Sequence, residues 1–202
     1  MPDASSRPKI TSADTQRDRR IPPGQSKTEK WPVLHYGNVP RVNLANWDFR
    51  IFGEVESEWR CGWDEFRALP WVDVACDIHC VTRWSRLNNT FSGPSTKTVL
   101  EKVKVKPTAK FVLVHCEQGF TTNLPLADFL GDDCLFGIEH DGKPLSPDHG
   151  YPVRLVIPRL YFWKSAKWVR GIELLKEDVA GFWEQNGYHM RGDPWKEERF
   201  GW

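Results

Sequence analysis

No apolar run in this sequence approaches the roughly 20 residues that a membrane-spanning helix requires; the densest, at 111–114, is strand-sized. A membrane span is excluded on that ground. Net charge is nearly absent too, with 28 Lys and Arg against 27 Asp and Glu. No global field draws the chain to nucleic acid or an anionic surface, so any anion binding has to come from local clusters. The cysteines Cys61, Cys76, Cys80, Cys116 and Cys134 are odd in number and include no Cys-x-x-Cys. A chain of 202 residues can bury one substantial core without disulfide staples, so reduced thiols are expected. Gly-x-Gly-x-x-Gly, Walker, Gly-x-Ser-x-Gly and His-Glu-x-x-His motifs are also missing, which leaves dinucleotide, nucleotide, serine-hydrolase and zincin chemistry without an anchor. Arg19 and Arg20 form a twin-arginine pair, but Ile21-Pro22-Pro23-Gly24-Gln25 follows where an export signal needs an apolar stretch. A cytoplasmic protein is therefore expected.

What the chain does contain is tryptophan, 11 residues of it, suited to a core with large flat surfaces or to an aromatic-lined pocket. Residues 1–30 carry few large apolar side chains, too few to offset the entropy of ordering them, and are expected to form a flexible N-terminal arm. A single domain over 31–202 is expected to begin at Trp31. Apolar–polar alternation predicts a strand from Trp47 and another over 72–80, where Val72, Val74, Cys76, Ile78 and Cys80 share one face and Asp73, Asp77 and His79 the other. Further strands are predicted over 111–117, 134–139, 153–158 and 168–175. Short helices are predicted over 62–69, 95–103, 125–130 and 178–185, the last with Asp178 as cap or first-turn acid. Short strands, scattered short helices and long loops indicate an α+β fold.

Two local anomalies stand out. Between His149 and Ile172 lie Arg154, Arg159, Lys164, Lys167 and Arg170 with no Asp or Glu among them. Arg154 sits inside an otherwise apolar strand, so its guanidinium needs a partner or must snorkel. A bound phosphate would satisfy it, and Lys164-Ser165-Ala166-Lys167 adds small residues that let backbone N–H groups approach an anion. Exposed bases paired with acids elsewhere fit the same segment. The second anomaly is Cys80, which ends a buried strand and meets a polar loop holding Arg83 and Arg86. A nearby cation would favour its thiolate, a soft-metal ligand or nucleophile; plain packing, as expected for Cys76, is the alternative. A zinc site from Cys76, His79, Cys80, His115 and Cys116 is disfavoured, because His79 faces away from both strand cysteines and His115 alternates with Cys116.

Asp77-Ile78-His79-Cys80-Val81-Thr82-Arg83-Trp84-Ser85 and Asp148-His149-Gly150-Tyr151-Pro152-Val153-Arg154-Leu155-Val156-Ile157-Pro158, leading to Lys164-Ser165-Ala166-Lys167-Trp168, resemble the sulfite-oxidase-like molybdopterin oxidoreductases. The likeness is to a small prokaryotic branch consisting of the catalytic domain alone. It extends from about Trp31 to the C-terminus through Thr121-Thr122-Asn123-Leu124-Pro125-Leu126 and Gly187-Tyr188-His189-Met190-Arg191-Gly192-Asp193-Pro194-Trp195. The resemblance implies mixed sheets with short helices and long loops, a molybdenum-molybdopterin cofactor, and two-electron oxygen-atom transfer on a small substrate. It maps Cys80 onto the metal ligand, His149 and Arg154 onto cofactor contacts, and Ser165, Ala166 and Lys167 onto the segment holding the phosphate end. His35 falls in an N-terminal pterin-contacting segment. Cys116 falls near a position that is Thr in a periplasmic methionine-sulfoxide reductase, and Arg83 in a loop where sulfite oxidases bind their anionic substrate, with different spacing. The chain has length for neither the cytochrome nor the dimerisation domain of animal sulfite oxidases, so a separate electron-transfer partner is expected. Two rival readings are an RNA-binding module using the basic and aromatic residues of 154–170, and a cysteine-dependent hydrolase built on Cys80.

Overall fold

Strands dominate the fold, as the period-two patterns predict. The computed structural model describes residues 6–201. In chain order its elements are β1 (Lys9–Thr11), β2 (Ser26–Lys27), β3 (Asp48–Gly53), β4 (Trp59–Gly62), α1 (Trp63–Arg67), β5 (Trp71–His79), β6 (Trp84–Pro94), α2 (Thr96–Leu100), β7 (Phe111–Cys116), β8 (Thr121–Pro125), α3 (Leu126–Phe129), β9 (Leu135–Gly137), β10 (Glu139–His140), β11 (Lys143–Pro144), β12 (Arg154–Val156), β13 (Val169–Leu175) and α4 (Phe182–Gln185). One sheet runs β1-β5-β6-β10-β11 with β2 also on β6, a second runs β4-β3-β13-β7-β8, and β9 pairs with β12. Both larger sheets are mixed: β1 and β2 join in parallel, and β13 lies parallel to β3 but antiparallel to β7.

The main core packs against the β4-β3-β13-β7-β8 sheet, with Phe49, Ile51, Val112, Val114, Ile172 and Leu174 fully buried. Burying each such side chain stabilises the fold by about 1.5–3 kcal/mol. A second cluster joins Val74, Cys76 and Ile78 of β5 to Phe91 of β6 and Val156 of β12, so the predicted apolar face of β5 is the one that packs. The opposite face is buried as well, since Asp77 and His79 are both fully enclosed.

Four expectations need correction. Residues 6–30 are not a loose arm, and order does not start at Trp31. β1 pairs with β5 from Lys9↔Asp73 to Thr11↔Ala75, Ser12 Oγ donates to Asp133 Oδ2 at 2.6 Å, and Arg20 donates two hydrogen bonds to buried Asp77 at 2.6 and 2.8 Å. Backbone pairing and ion pairs hold this segment in place of apolar burial, and composition does not register them. Residues 84–94 form the longest strand of the described chain instead of continuing a polar loop. Its many polar side chains suppress the strand pattern, but β5, β10 and β2 all pair with it, and buried Asn89 donates to the carbonyls of Cys76 and Arg86 at the bulge between the strands. The helix over 95–103 is only α2, capped by Ser95 Oγ accepting from Thr98 N–H at 3.0 Å and closed by short turns from Val99 to Lys102 and from Leu100 to Val103. The last helix begins at Phe182 with Gly181 as N-cap, while Asp178 accepts a hydrogen bond from Asn123 Nδ2 at 2.7 Å.

Candidate active site

β5 and β6 are joined by the four-residue connection 80–83. Cys80 N–H donates to Trp84 O at 2.9 Å and Arg83 N–H to Cys80 O at 3.0 Å, closing the turn with Arg83 at φ +71°. From behind, Gln25 Nε2 donates to Cys80 O at 3.0 Å and Arg199 Nη1 to Val81 O at 2.8 Å, so both ends of the chain brace the turn. Cys80, Val81 and Thr82 line a cavity of about 510 Å³, within the range of small-molecule and cofactor sites. Cys80 Sγ is 3.1 Å from Thr82 Oγ1. Burial pushes the Cys80 thiol above its ordinary pKa, outweighing the opposite pull of Thr82 and Arg199. The expected activation by Arg83 is not found. Arg83 is exposed, is not among the cavity-lining residues, and has its guanidinium near Gly24.

The five bases of the 149–172 segment divide into two groups. Arg159 pairs with Asp133, Arg170 with Asp48 and Glu117, and Lys164 with Glu184. Arg154 and Lys167 have no carboxylate partner among the described residues, and both line the Cys80 cavity. Arg154 is 1% exposed, so it does not snorkel. Its Nη1 donates to His149 O at 2.9 Å and its Nη2 to Ser165 O at 2.6 Å, and its guanidinium lies 4.1 Å from the Phe162 ring and 5.5 Å from that of Trp31. Burial lowers its pKa to about 9. Lys167 Nζ donates to Asp148 O at 2.6 Å, and burial beside Arg154 lowers its pKa to about 7.

His149 joins them from a 3-10 turn, Pro147–His149, with its ring 3.8 Å from that of Trp31. Burial, then Arg154 and Lys167, lower its pKa to about 4, so it is neutral at physiological pH. Gly150 follows at φ +112°, where a Cβ would lie 3.1 Å from Arg154 Cβ and 3.2 Å from Lys167 Cβ. The glycine thus lets this turn press onto both cations. Ser165 is buried with its Oγ accepting from Ile157 N–H at 2.9 Å, and Ala166 lines the cavity beside it.

His35 reaches the cavity rim, edge-on to Trp168 at 5.7 Å. Cys116 does not line this cavity; it packs in the main core, where burial drives its thiol pKa far up. Trp31 and Phe162 also line the cavity, and neither stands out as a site residue in the sequence, because an aromatic side chain there is equally suited to a core. The RNA-binding reading fails on orientation: Arg154, Tyr161, Trp163, Lys164 and Trp168 are buried and offer no exposed stacking platform. The hydrolase reading lacks its base, since the side chain hydrogen-bonded to Cys80 is Thr82.

These residues fit a group that brings its own metal ligands and an anionic end. Among the described residues no three His, Cys, Asp or Glu converge, and Cys80 is the cysteine that lines the cavity, so the lining suits a metal that arrives with its other ligands. Buried Arg154 and half-buried Lys167, held among the described residues by carbonyls and ring faces, form a positive site that suits a phosphate.

A family model for the oxidoreductase molybdopterin binding domain matches residues 36–183. The chain is 49% identical to the uncharacterized oxidoreductase YuiH of Bacillus subtilis over 91% of this chain and 93% of that protein. It is 31% identical to mitochondrial sulfite oxidase of Drosophila melanogaster over 79% of this chain, and 29% identical to the protein-methionine-sulfoxide reductase catalytic subunit MsrP of Campylobacter jejuni over 70%. It spans only 32% and 53% of those two proteins. The sulfane dehydrogenase SoxCD of Paracoccus pantotrophus shares the fold, with a TM-score of 0.67 at 18% identity, covering 76% of this chain and 43% of that one. No helix among the described residues is long and apolar enough to cross a membrane. The chain belongs to the oxidoreductase molybdopterin-binding family and is a molybdopterin-dependent oxidoreductase domain.

Proposed function

We propose that the domain catalyses two-electron oxygen-atom transfer on a small substrate, with Cys80 as the protein ligand of molybdenum. His149, Arg154, Ser165, Ala166 and Lys167 hold the cofactor, the two cations at its phosphate end, and His35 closes over it from the rim. The observation that carries this reading is the pairing, in one cavity, of a lone thiol with buried Arg154 and half-buried Lys167, neither of which has a carboxylate partner among the described residues. When bound, the cofactor supplies a centre that exchanges two electrons and one oxygen atom. The chain's own work is to fix the ligand turn by Gln25 and Arg199, to neutralise the phosphate through Arg154 and Lys167, and to keep a neutral imidazole at His149 beside them. Arg83, turned out of the cavity, and Cys116, packed in the core, take no part.

The balance is an oxygen atom gained from water with release of two protons and two electrons, or the reverse. The electrons pass through a separate redox protein, a reading supported by the likeness to MsrP, which is named as the catalytic subunit of its reductase. Five free thiols suit the cytoplasm. Molybdenum analysis and electron paramagnetic resonance of the Mo(V) state test the assignment. Cys80→Ser is expected to lose the native signal, and a native Mo(V) signal in that variant would remove Cys80 as ligand.

A further inference from the structure

The cavity has two unlike halves, with Cys80 lining it together with Lys167 in one and Tyr188 in the other. The Lys167 half holds the cations assigned above to the cofactor. The other half is a continuous aromatic wall. Trp183 stacks on Tyr188 with ring centroids 5.0 Å apart and planes 21° apart, and Phe182 meets Trp183 edge-on at 5.1 Å. Tyr36 lies 4.7 Å from Phe182, and Phe120 lies 5.6 Å from it on the same wall. Tyr36 is 65% exposed and stands at the mouth.

Arg154 and Lys167 are the only Lys or Arg among the described residues lining the cavity. Glu117, which also lines it, is committed to Arg170 at 2.7 Å. A small inorganic oxyanion entering along the aromatic wall would give up hydration and meet ring faces, whose quadrupoles repel negative charge. A neutral molecule carrying an aromatic ring would gain stacking and apolar burial on the same surface.

We infer that the aromatic half selects a neutral oxide bearing an aryl group, an aryl sulfoxide or heteroaromatic N-oxide, over alkyl oxides and over small oxyanions such as sulfite or nitrate. The inference rests on the oxygen-transfer reading and names the substrate class for it. In the reductive direction the S–O or N–O bond breaks, the oxygen leaves as water with two protons, and two electrons come from an external donor.

The test uses the molybdenum-loaded protein with reduced viologen as donor. Methyl phenyl sulfoxide, dimethyl sulfoxide and nitrate are compared as oxidants, and sulfite is assayed separately with an artificial electron acceptor. Methyl phenyl sulfoxide is expected to exceed dimethyl sulfoxide in kcat/KM by roughly tenfold or more. That ratio is expected to collapse towards one in Tyr36→Ala, a change at an exposed ring that leaves the core intact, and in Trp183→Ala. No aryl preference, or faster turnover of sulfite or nitrate, would overturn the substrate class while leaving oxygen transfer standing. Absence of turnover with all four compounds would remove the oxygen-transfer reading instead. In that case saturation-transfer NMR of methyl phenyl sulfoxide on the loaded protein still decides the pocket: ring-proton saturation lost in Tyr36→Ala supports aryl binding, and its absence from the unmodified protein overturns it.

Discussion

Lys164 Nζ lies 2.6 Å from Glu184 Oε1 with both side chains fully buried, which ties the segment 164–167, whose last three residues line the cavity, to the helix that carries Trp183. The pair is embedded in hydrogen bonds. Lys164 also donates to Asn123 O, Asn123 Oδ1 and Met190 O, and Trp163 Nε1 donates to Glu184 Oε1 at 2.7 Å. Removing one member leaves the other charge enclosed, so Lys164→Met or Glu184→Gln is expected to cost about 3–5 kcal/mol. The double variant should cost less than the sum of the two. Urea denaturation of the three variants measures this; additive losses would show that the pair is not coupled.

The two strand cysteines should separate cleanly. Cys76 is fully buried among Val74, Ile78 and Phe91, so Cys76→Ala is expected to cost about 1 kcal/mol with unchanged molybdenum content. Cys80→Ala should show the opposite pattern, with the fold retained and the metal lost. Thermal melting alongside metal analysis distinguishes them.

Lys167 carries a pH signature. Its pKa is near 10.5 in the unfolded chain and about 7 in the fold. Between these values the unfolded chain binds the extra proton, so Lys167 makes the cofactor-free protein more stable as pH rises from 7 towards 10.5. Below 7 its full burial penalty applies, and an anion beside it relieves that penalty. Sulfate is therefore expected to raise Tm more at about pH 6 than at about pH 8.5. In Lys167→Met the difference should vanish, and pterin content, measured by fluorescence of the oxidised pterin, should fall. An equal sulfate effect at both pH values would count against an anion site here.

Gly150→Ala places a methyl group against the Cβ atoms of Arg154 and Lys167 at a φ of +112°. Left-handed backbone costs an L-residue about 1–2 kcal/mol, and here the added Cβ also pushes both cations apart. The variant should therefore lose pterin content out of proportion to its loss of stability. Retention of full pterin would show that the close approach is not needed.

Arg20→Ala should destabilise the fold by about 1.5–3 kcal/mol, because the buried Asp77 carboxylate loses both guanidinium hydrogen bonds and keeps the one from Asn88 N–H at 2.9 Å. Deleting residues 1–28 removes β1, β2 and the Gln25 brace on Cys80. It should lower both stability and metal content, whereas a stable, fully loaded truncation would show that the segment is dispensable.

The residue string by itself determined that strands lie at β5, β7 and β13, because short runs rich in Val, Ile and Leu favour extended backbone wherever they occur, while the burial of both faces of β5 came from the fold. It also marked Cys80 and the His149–Arg154 region, because a thiol ending an apolar strand and a cation inside one conflict with their surroundings wherever they occur. Only the tertiary structure decided which bases stay unpaired: Arg159, Lys164 and Arg170 find acids 26, 20 and 53 or more positions away, and such pairings depend on chain topology. The same holds for β6, whose polar side chains are tolerated because strands pair on both of its edges, and for residues 9–27, held by backbone hydrogen bonds and the Arg20–Asp77 pair. Arg83 shows the limit most plainly. Three residues from Cys80 in sequence, it is turned out of the cavity by the geometry of a four-residue hairpin turn, while Arg199, 118 positions beyond Val81, donates to Val81 O in that turn.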